Sequence, residues 1–222
     1  MTWKQLFTSS IGKKYLMGLT GFFLIIYLVV HASINAMIFY NDDGVTFNAA
    51  AHFMVQNFFV RFLEVGLFAV FILHIIQGLM LWSQNSAARK TKYHVQKYPR
   101  EIKTYSRLMG WLGTFLLLFL VMHLWHFWAG TKNELYFSGE HVNLYQEMKS
   151  IFTNPVWFVL YMIGLASLLY HLLQGFQSAF QTFGINHRRW TPIVKAIGVI
   201  YSVAICLLFA SMPIAFMAGW LQ

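Results

Sequence analysis

Five long apolar runs dominate the sequence, at about residues 15–40, 62–82, 108–130, 156–183 and 196–220. A helix needs about 20 predominantly apolar residues to cross the hydrocarbon core of a bilayer, and each run reaches that length. Only 10% of the 222 residues are charged and 58% are hydrophobic, against about 25% charged in an ordinary soluble domain. Packed as a water-soluble globule, such a chain would expose large apolar patches. The expected fold is an all-α integral membrane protein of five transmembrane helices, with residues 1–222 forming a single domain. The first run is far longer than the roughly 7–15 residues of a signal peptide's apolar region, so no cleaved leader is expected.

The Lys and Arg distribution orients the five spans. Thirteen of the sixteen fall in the N-terminal lead, the segment 83–107 and the link 184–195; Arg61, Lys132 and Lys149 fall on the other side. The positive-inside rule puts the N-terminus in the cytoplasm and the C-terminus outside. Five of the seven acids lie in the two outer loops. The net charge of +9 therefore belongs to cytoplasmic loops facing anionic lipid or a docked partner, not to a nucleic-acid surface. The lead up to Lys14 and residues 45–60 read as interfacial helices. Cys206, the single cysteine, excludes an internal disulfide and a thiolate-ligated iron–sulfur cluster. It reads as a small core or lipid-facing residue.

Ionisable side chains inside such spans are costly and normally functional. Four histidines sit there in two repeated patterns. His74-Ile75-Ile76-Gln77-Gly78 returns as His171-Leu172-Leu173-Gln174-Gly175, and Gly18-x-x-Gly21 precedes His31 by the same interval as Gly110-x-x-Gly113 precedes His123. His31 is 17 residues past Lys14 and His123 is 16 past Arg107, which places both ~24–25 Å above the cytoplasmic end. His74 and His171 precede Trp82 and Phe183 by 8 and 12 residues, or ~12–18 Å from the same side. The result is an outer pair, His31 with His123, and an inner pair, His74 with His171. A duplicated two-helix unit explains the pattern, with the fifth helix completing the bundle.

Two facing imidazoles, with glycines letting a flat group or a neighbouring helix approach the backbone, suit bis-histidine ligation of haem b inside a four-helix bundle. Zinc requires four ligands, and no Cys or carboxylate accompanies either pair. A proton relay normally shows Asp or Glu at the same depth. A single intramembrane histidine is as readily a hydrogen-bonded packing residue; four matched in depth favour haem. His126, one turn outward of His123, stays open as a ligand, a quinone-site residue or a bystander. His123 is preferred as ligand because its glycine spacing copies that of His31. His52, His94, His141 and His187 read as solvated or interfacial.

These residues resemble the di-haem cytochrome b membrane anchor of succinate dehydrogenase and fumarate reductase, in its single five-helix class. The resemblance covers most of the chain. It rests on His31-x-x-x-Asn35, the segment Phe47-Asn48-Ala49-Ala50-Ala51-His52-Phe53-Met54, Arg61-Phe62-Leu63-Glu64, His123-Leu124-Trp125, and His171 followed by Gly175. It implies a membrane subunit of respiratory complex II, a tricarboxylic acid cycle enzyme whose succinate chemistry lies on a partner. The implied partners are a cytoplasmic flavoprotein with covalent FAD and an iron–sulfur protein, the latter docked by 83–107 and 184–195. It further implies two haem b groups relaying electrons to quinone, commonly menaquinone, in a bacterial-type cytoplasmic membrane. Quinone-site candidates at the outer end are Glu64, His126, Arg61, Asn35 and His52, with Glu64 and His126 as possible proton groups. Glu64 also has simpler assignments, pairing with Arg61 or facing the interface. The competing functions are a haem b anchor for formate dehydrogenase, hydrogenase or nitrate reductase, and a haem-free polytopic membrane protein.

Overall fold

A computed structural model describes residues 7–87, 108–134 and 142–221. Trp3, Lys4, His94, His141 and most of the basic segment 83–107 lie outside the described residues. The described residues are mostly helical, with no strand among them, and contain five helices long and apolar enough to cross a membrane: Ser10–Tyr40, Phe58–Ala87, Met109–Asn133, Pro155–Thr182 and Trp190–Met217. Each of the five apolar runs overlaps one of these helices.

The first span is helix α1 (Ser10–Asn35) continued by a 3-10 turn, Ala36–Tyr40. Ser9 caps its start, its hydroxyl accepting from the Gly12 amide at 3.0 Å. Asn41 and Asp43, both at positive φ, then Gly44 at φ 79°, reverse the chain into the short helix α2 (Val45–Gln56). The Asp42 carboxylate accepts from the Thr46 amide at 3.0 Å and from its hydroxyl at 2.5 Å, which satisfies orphan donors of the first turn. The second span is α3 (Phe58–Ala87).

The third span changes helix type part-way. It runs as α4 (Met109–Leu124), a π-helical turn (Trp125–Ala129) and a short α5 (Gly130–Asn133). Next comes α6 (Leu144–Phe152), capped by Asn143, whose side chain accepts from the Gln146 amide. This helix was not expected from the sequence, where 131–155 reads as a mixed-charge loop. It buries Tyr145, Met148, Ile151 and Phe152, a one-sided helical spacing, and leaves Glu147 exposed. The fourth span is α7 (Pro155–Thr182), with Asn154 as N-cap and Pro155 at the first helical position, where its missing N–H costs nothing. The fifth is α8 (Trp190–Met217).

Around the bundle, α1 packs beside α3 and α7, and α4 also packs beside α3 and α7; α8 lies against α7 and α1. Thus α1 faces α4 across the interior, and α3 faces α7. Two apolar clusters hold this arrangement. One joins Ile25, Leu172, Phe176, Val194 and Cys206, which puts the cysteine in the core between α1, α7 and α8. The Tyr201 hydroxyl donates to the Ile25 carbonyl at 2.6 Å, tying α8 to α1. The other seals one end of the bundle: Ile38, Phe47, Tyr145, Met148, Phe152, Tyr161 and Phe216 bring α2 and α6 down on the spans. Asn48 cross-links the two short helices, donating to Asn143 at 2.9 Å and accepting from the Tyr145 amide at 3.1 Å. Elsewhere the spans turn large apolar side chains outward, among them Phe62, Val65, Leu118, Val121 and Leu207, as a surface solvated by lipid does.

Candidate haem-binding sites

His31 on α1 and His123 on α4 meet across one diagonal of the bundle, with ring centroids 5.8 Å apart and planes at 89°. His74 on α3 and His171 on α7 meet across the other, at 6.3 Å and 66°. The two meetings occur at different levels. Gly21 lies against His74, and ten residues of α1 separate Gly21 from His31, so the levels differ by about 15 Å.

Each ring is held by its neighbours. His31 stacks on Tyr27 (5.4 Å, 16°) and His123 on Phe119 (5.8 Å, 22°). The Phe119 ring in turn occupies the space left by Gly164, where a Cβ would collide with it. In the inner pair, a Cβ on Gly21 would lie 3.4 Å from His74 Cε1, and one on Gly113 would lie 3.9 Å from His171 Cε1. The second glycine of each Gly-x-x-Gly therefore lies beside an inner histidine, although each motif is in register with an outer one. Gly18 is packed against Thr182 and Gly110 against Trp82; these first glycines serve helix contact.

The donor nitrogens differ in their partners. His74 Nδ1 is 3.0 Å from the Thr20 hydroxyl. The Asn35 amide donates to the His31 carbonyl at 2.8 Å and touches His31 Nδ1 at 3.4 Å. His123 Nδ1 and His171 Nδ1 are buried with no partner. Such orphaned nitrogens are unusual in an interior and call for an explanation.

A haem iron suits these residues. Two imidazole nitrogens about 2 Å from a shared metal, plus the ring radii, set centroids roughly 6 Å apart, the separation seen in both pairs. The donor set is two neutral nitrogens per site; among the described residues no cluster of three or more His, Cys, Asp or Glu side chains could hold a metal ion. Two axial imidazoles fit a metal whose remaining positions are filled by a macrocycle.

The remaining candidates lie towards the end of the bundle sealed by α2 and α6. His126, on the π-helical turn, puts Nδ1 3.1 Å from the Tyr161 hydroxyl and its ring 4.6 Å from Trp157. Its partners are thus on α7, and it borders a polar pocket lined also by Thr131, Glu134 and Glu147. Glu64 pairs across to the third span, with Lys132 Nζ at 2.9 Å and the Trp128 indole N–H at 2.5 Å. No hydrogen bond or ion pair joins Glu64 to His126. The π-helical turn, an element frequent at functional sites, presents His126 to α7 and Trp128 to α3. Asn35 is engaged with His31, His52 is half-buried on α2, and Arg61 is exposed near the start of α3. Gln77 is buried with its Oε1 unpartnered, whereas Gln174 donates to Ser178 at 3.0 Å. Thr20, Lys132, Trp128 and Tyr161 were not anticipated as site residues; each acquires a role only through a partner distant in sequence.

Compared with known proteins, the chain is similar to the succinate dehydrogenase cytochrome b558 subunit of Bacillus subtilis (strain 168), 27% identical over 176 residues that cover 75% of this chain and 74% of the relative. The resemblance carried by the sequence motifs is borne out by this similarity. No family model and no solved structure matches the chain.

Proposed function

We propose that the chain is the haem b membrane anchor of a succinate:quinone oxidoreductase, acting as succinate dehydrogenase or fumarate reductase. The observation that carries this reading is the pair of facing histidine couples, one on each diagonal of the bundle and at two levels. His74 and His171 would hold the inner haem, and His31 and His123 the outer one. The similarity to a succinate dehydrogenase cytochrome b subunit supports the same assignment.

Bound there, haem b supplies a one-electron relay between an iron–sulfur partner and membrane quinone. The chain's own contribution is positional. The imidazoles present lone pairs from opposite corners, aromatic stacking fixes the outer rings, and the apolar spans keep bulk water away. With the N-terminus cytoplasmic, as the Lys and Arg asymmetry implies, the inner pair lies nearer the partner. The segments 83–107 and 184–195 then dock the iron–sulfur subunit, which carries the flavoprotein with covalent FAD. The membrane is a bacterial-type cytoplasmic membrane. Quinone, of the menaquinone class, would be handled at the outer end, where Glu64, His126, Arg61, Asn35 and His52 gather the polar groups. There His126 Nδ1 and the Tyr161 hydroxyl are hydrogen-bonded at 3.1 Å, and Lys132 pairs with Glu64 at 2.9 Å.

The test is affinity purification of the tagged chain from membranes in mild detergent. A flavoprotein with covalent flavin and an iron–sulfur protein should co-purify, and succinate should reduce a b-type absorbance. Co-purification with subunits of a formate dehydrogenase, hydrogenase or nitrate reductase, or a colourless chain, would overturn the proposal.

A further inference from the structure

Thr20 and His74 form an unusual contact for two membrane spans. Thr20 is buried, and its Oγ1 lies 2.8 Å from the Leu16 carbonyl oxygen on its own helix and 3.0 Å from His74 Nδ1 on α3. Two oxygens at 2.8 Å require a proton between them, and the Leu16 carbonyl has none to give. The Thr20 hydroxyl proton therefore points back along α1, the usual bond of a threonine inside a helix. Its lone pairs are left facing His74, so Nδ1 must carry the proton and donate. The neutral ring then has its free lone pair on Nε2.

We infer that Thr20 is a positioning residue that fixes the tautomer of His74, making Nε2 the nitrogen offered to the inner metal and raising its basicity through the Nδ1–H bond. A metal-ligating histidine commonly needs such an oxygen acceptor behind it. The neighbouring Gly21 completes the seat, since the ring lies within 3.4 Å of where a Cβ would be.

The duplicated unit shows what happens without the hydroxyl. Aligning Gly18 with Gly110 and Gly21 with Gly113 places Leu112 where Thr20 stands. Gly113 abuts His171 as Gly21 abuts His74, yet His171 Nδ1 is buried with no partner. The inner pair is thus built asymmetrically, with one oriented ring and one without an oxygen acceptor. This one-residue difference between the repeats accounts for it.

This inference rests on the haem-anchor reading, and its test separates the two. Thr20→Val, Thr20→Ser and Leu112→Thr are compared with the parent by redox titration of the haem absorbance, by electron paramagnetic resonance and by nitrogen-15 NMR of the histidines. Losing the acceptor weakens His74 as a donor to the oxidised metal. Thr20→Val should therefore raise the midpoint potential of the inner component, alter its resonance and leave the outer component in place. Thr20→Ser should behave as the parent, and Leu112→Thr should lower the inner potential by giving His171 an acceptor. An unchanged inner component in Thr20→Val, or an equal shift in Thr20→Ser, overturns the inference. A parent without haem sinks the anchor reading; the NMR then still decides, because His74 must be Nδ1-protonated in the parent and a tautomer mixture in Thr20→Val.

Discussion

His31 and His123 sit with their rings 5.8 Å apart and perpendicular, on helices at opposite corners of the bundle. The contact depends on side chains reaching inward across the interior, because α3 and α7 separate the two helices on either side. A second such couple, His74 with His171, crosses the other diagonal. One bundle therefore offers two two-nitrogen sites, one above the other.

His123 faces His31 across the bundle, whereas His126 faces the fourth span. Its Nδ1 is engaged with Tyr161, and its ring packs on Trp157. His126→Phe should retain both haem components while lowering quinone-dependent turnover, whereas His123→Ala should lose the outer component. Visible spectra and quinone reductase assays on the two variants check this; loss of a haem component in His126→Phe would reassign the ligand.

Gly21 and Gly113 predict where bulk is tolerated. Gly21→Leu would push a branched side chain into the His74 ring, which lies at van der Waals distance from the glycine. The inner component should disappear and the outer one persist, read from the spectrum of the purified variant. Loss of the outer component alone would show that the glycines serve the histidine with which they are in register.

Glu64, Lys132 and Trp128 link the second and third spans. Glu64→Gln should leave haem content intact and reduce quinone turnover. Lys132→Met should cost about 1 kcal/mol, the upper end for an incompletely buried pair. Thermal unfolding in detergent, alongside steady-state assays, separates the two effects. Unchanged turnover in Glu64→Gln would leave the carboxylate a structural tie.

The turn into α2 has its own pH signature. The Thr46 hydroxyl and amide hold the Asp42 carboxyl below its ordinary value of 3.8. A lowered folded pKa gives stability that is present above the unfolded value and is lost as pH falls through the folded one. Thr46→Val should therefore be less stable than the parent at neutral pH, and the gap should close as pH drops below about 3.8. Melting temperatures across that range test it; a gap that widens in acid would contradict the assignment.

Much of the fold was legible because the bilayer imposes a length rule that the five apolar runs meet directly. The helix α6 was missed because Glu147 and Lys149 mask its pattern; the spacing of Tyr145, Met148, Ile151 and Phe152 was available but lay in a segment rich in charge. The four intramembrane histidines stood out as ionisable groups in apolar runs. Thr20 did not, since a threonine inside a span bonds its own helix by default, and only the third dimension brings His74 beside it. The Glu64–Lys132 pair was hidden for a similar reason: Arg61, three residues away on the same helix, is the nearer partner on paper. The glycine repeats were visible, but their contacts with the inner histidines depend on how α1 and α4 rotate in the bundle.

The central claim is that this chain holds two bis-histidine haem b groups. Its most direct test is a redox titration of the haem absorbance, with haem-to-chain stoichiometry, on the parent and on the four single His→Ala variants. The account predicts two b-type components per chain. His31→Ala or His123→Ala should remove one, and His74→Ala or His171→Ala the other. A single component in the parent, or four variants that all keep both, would contradict it.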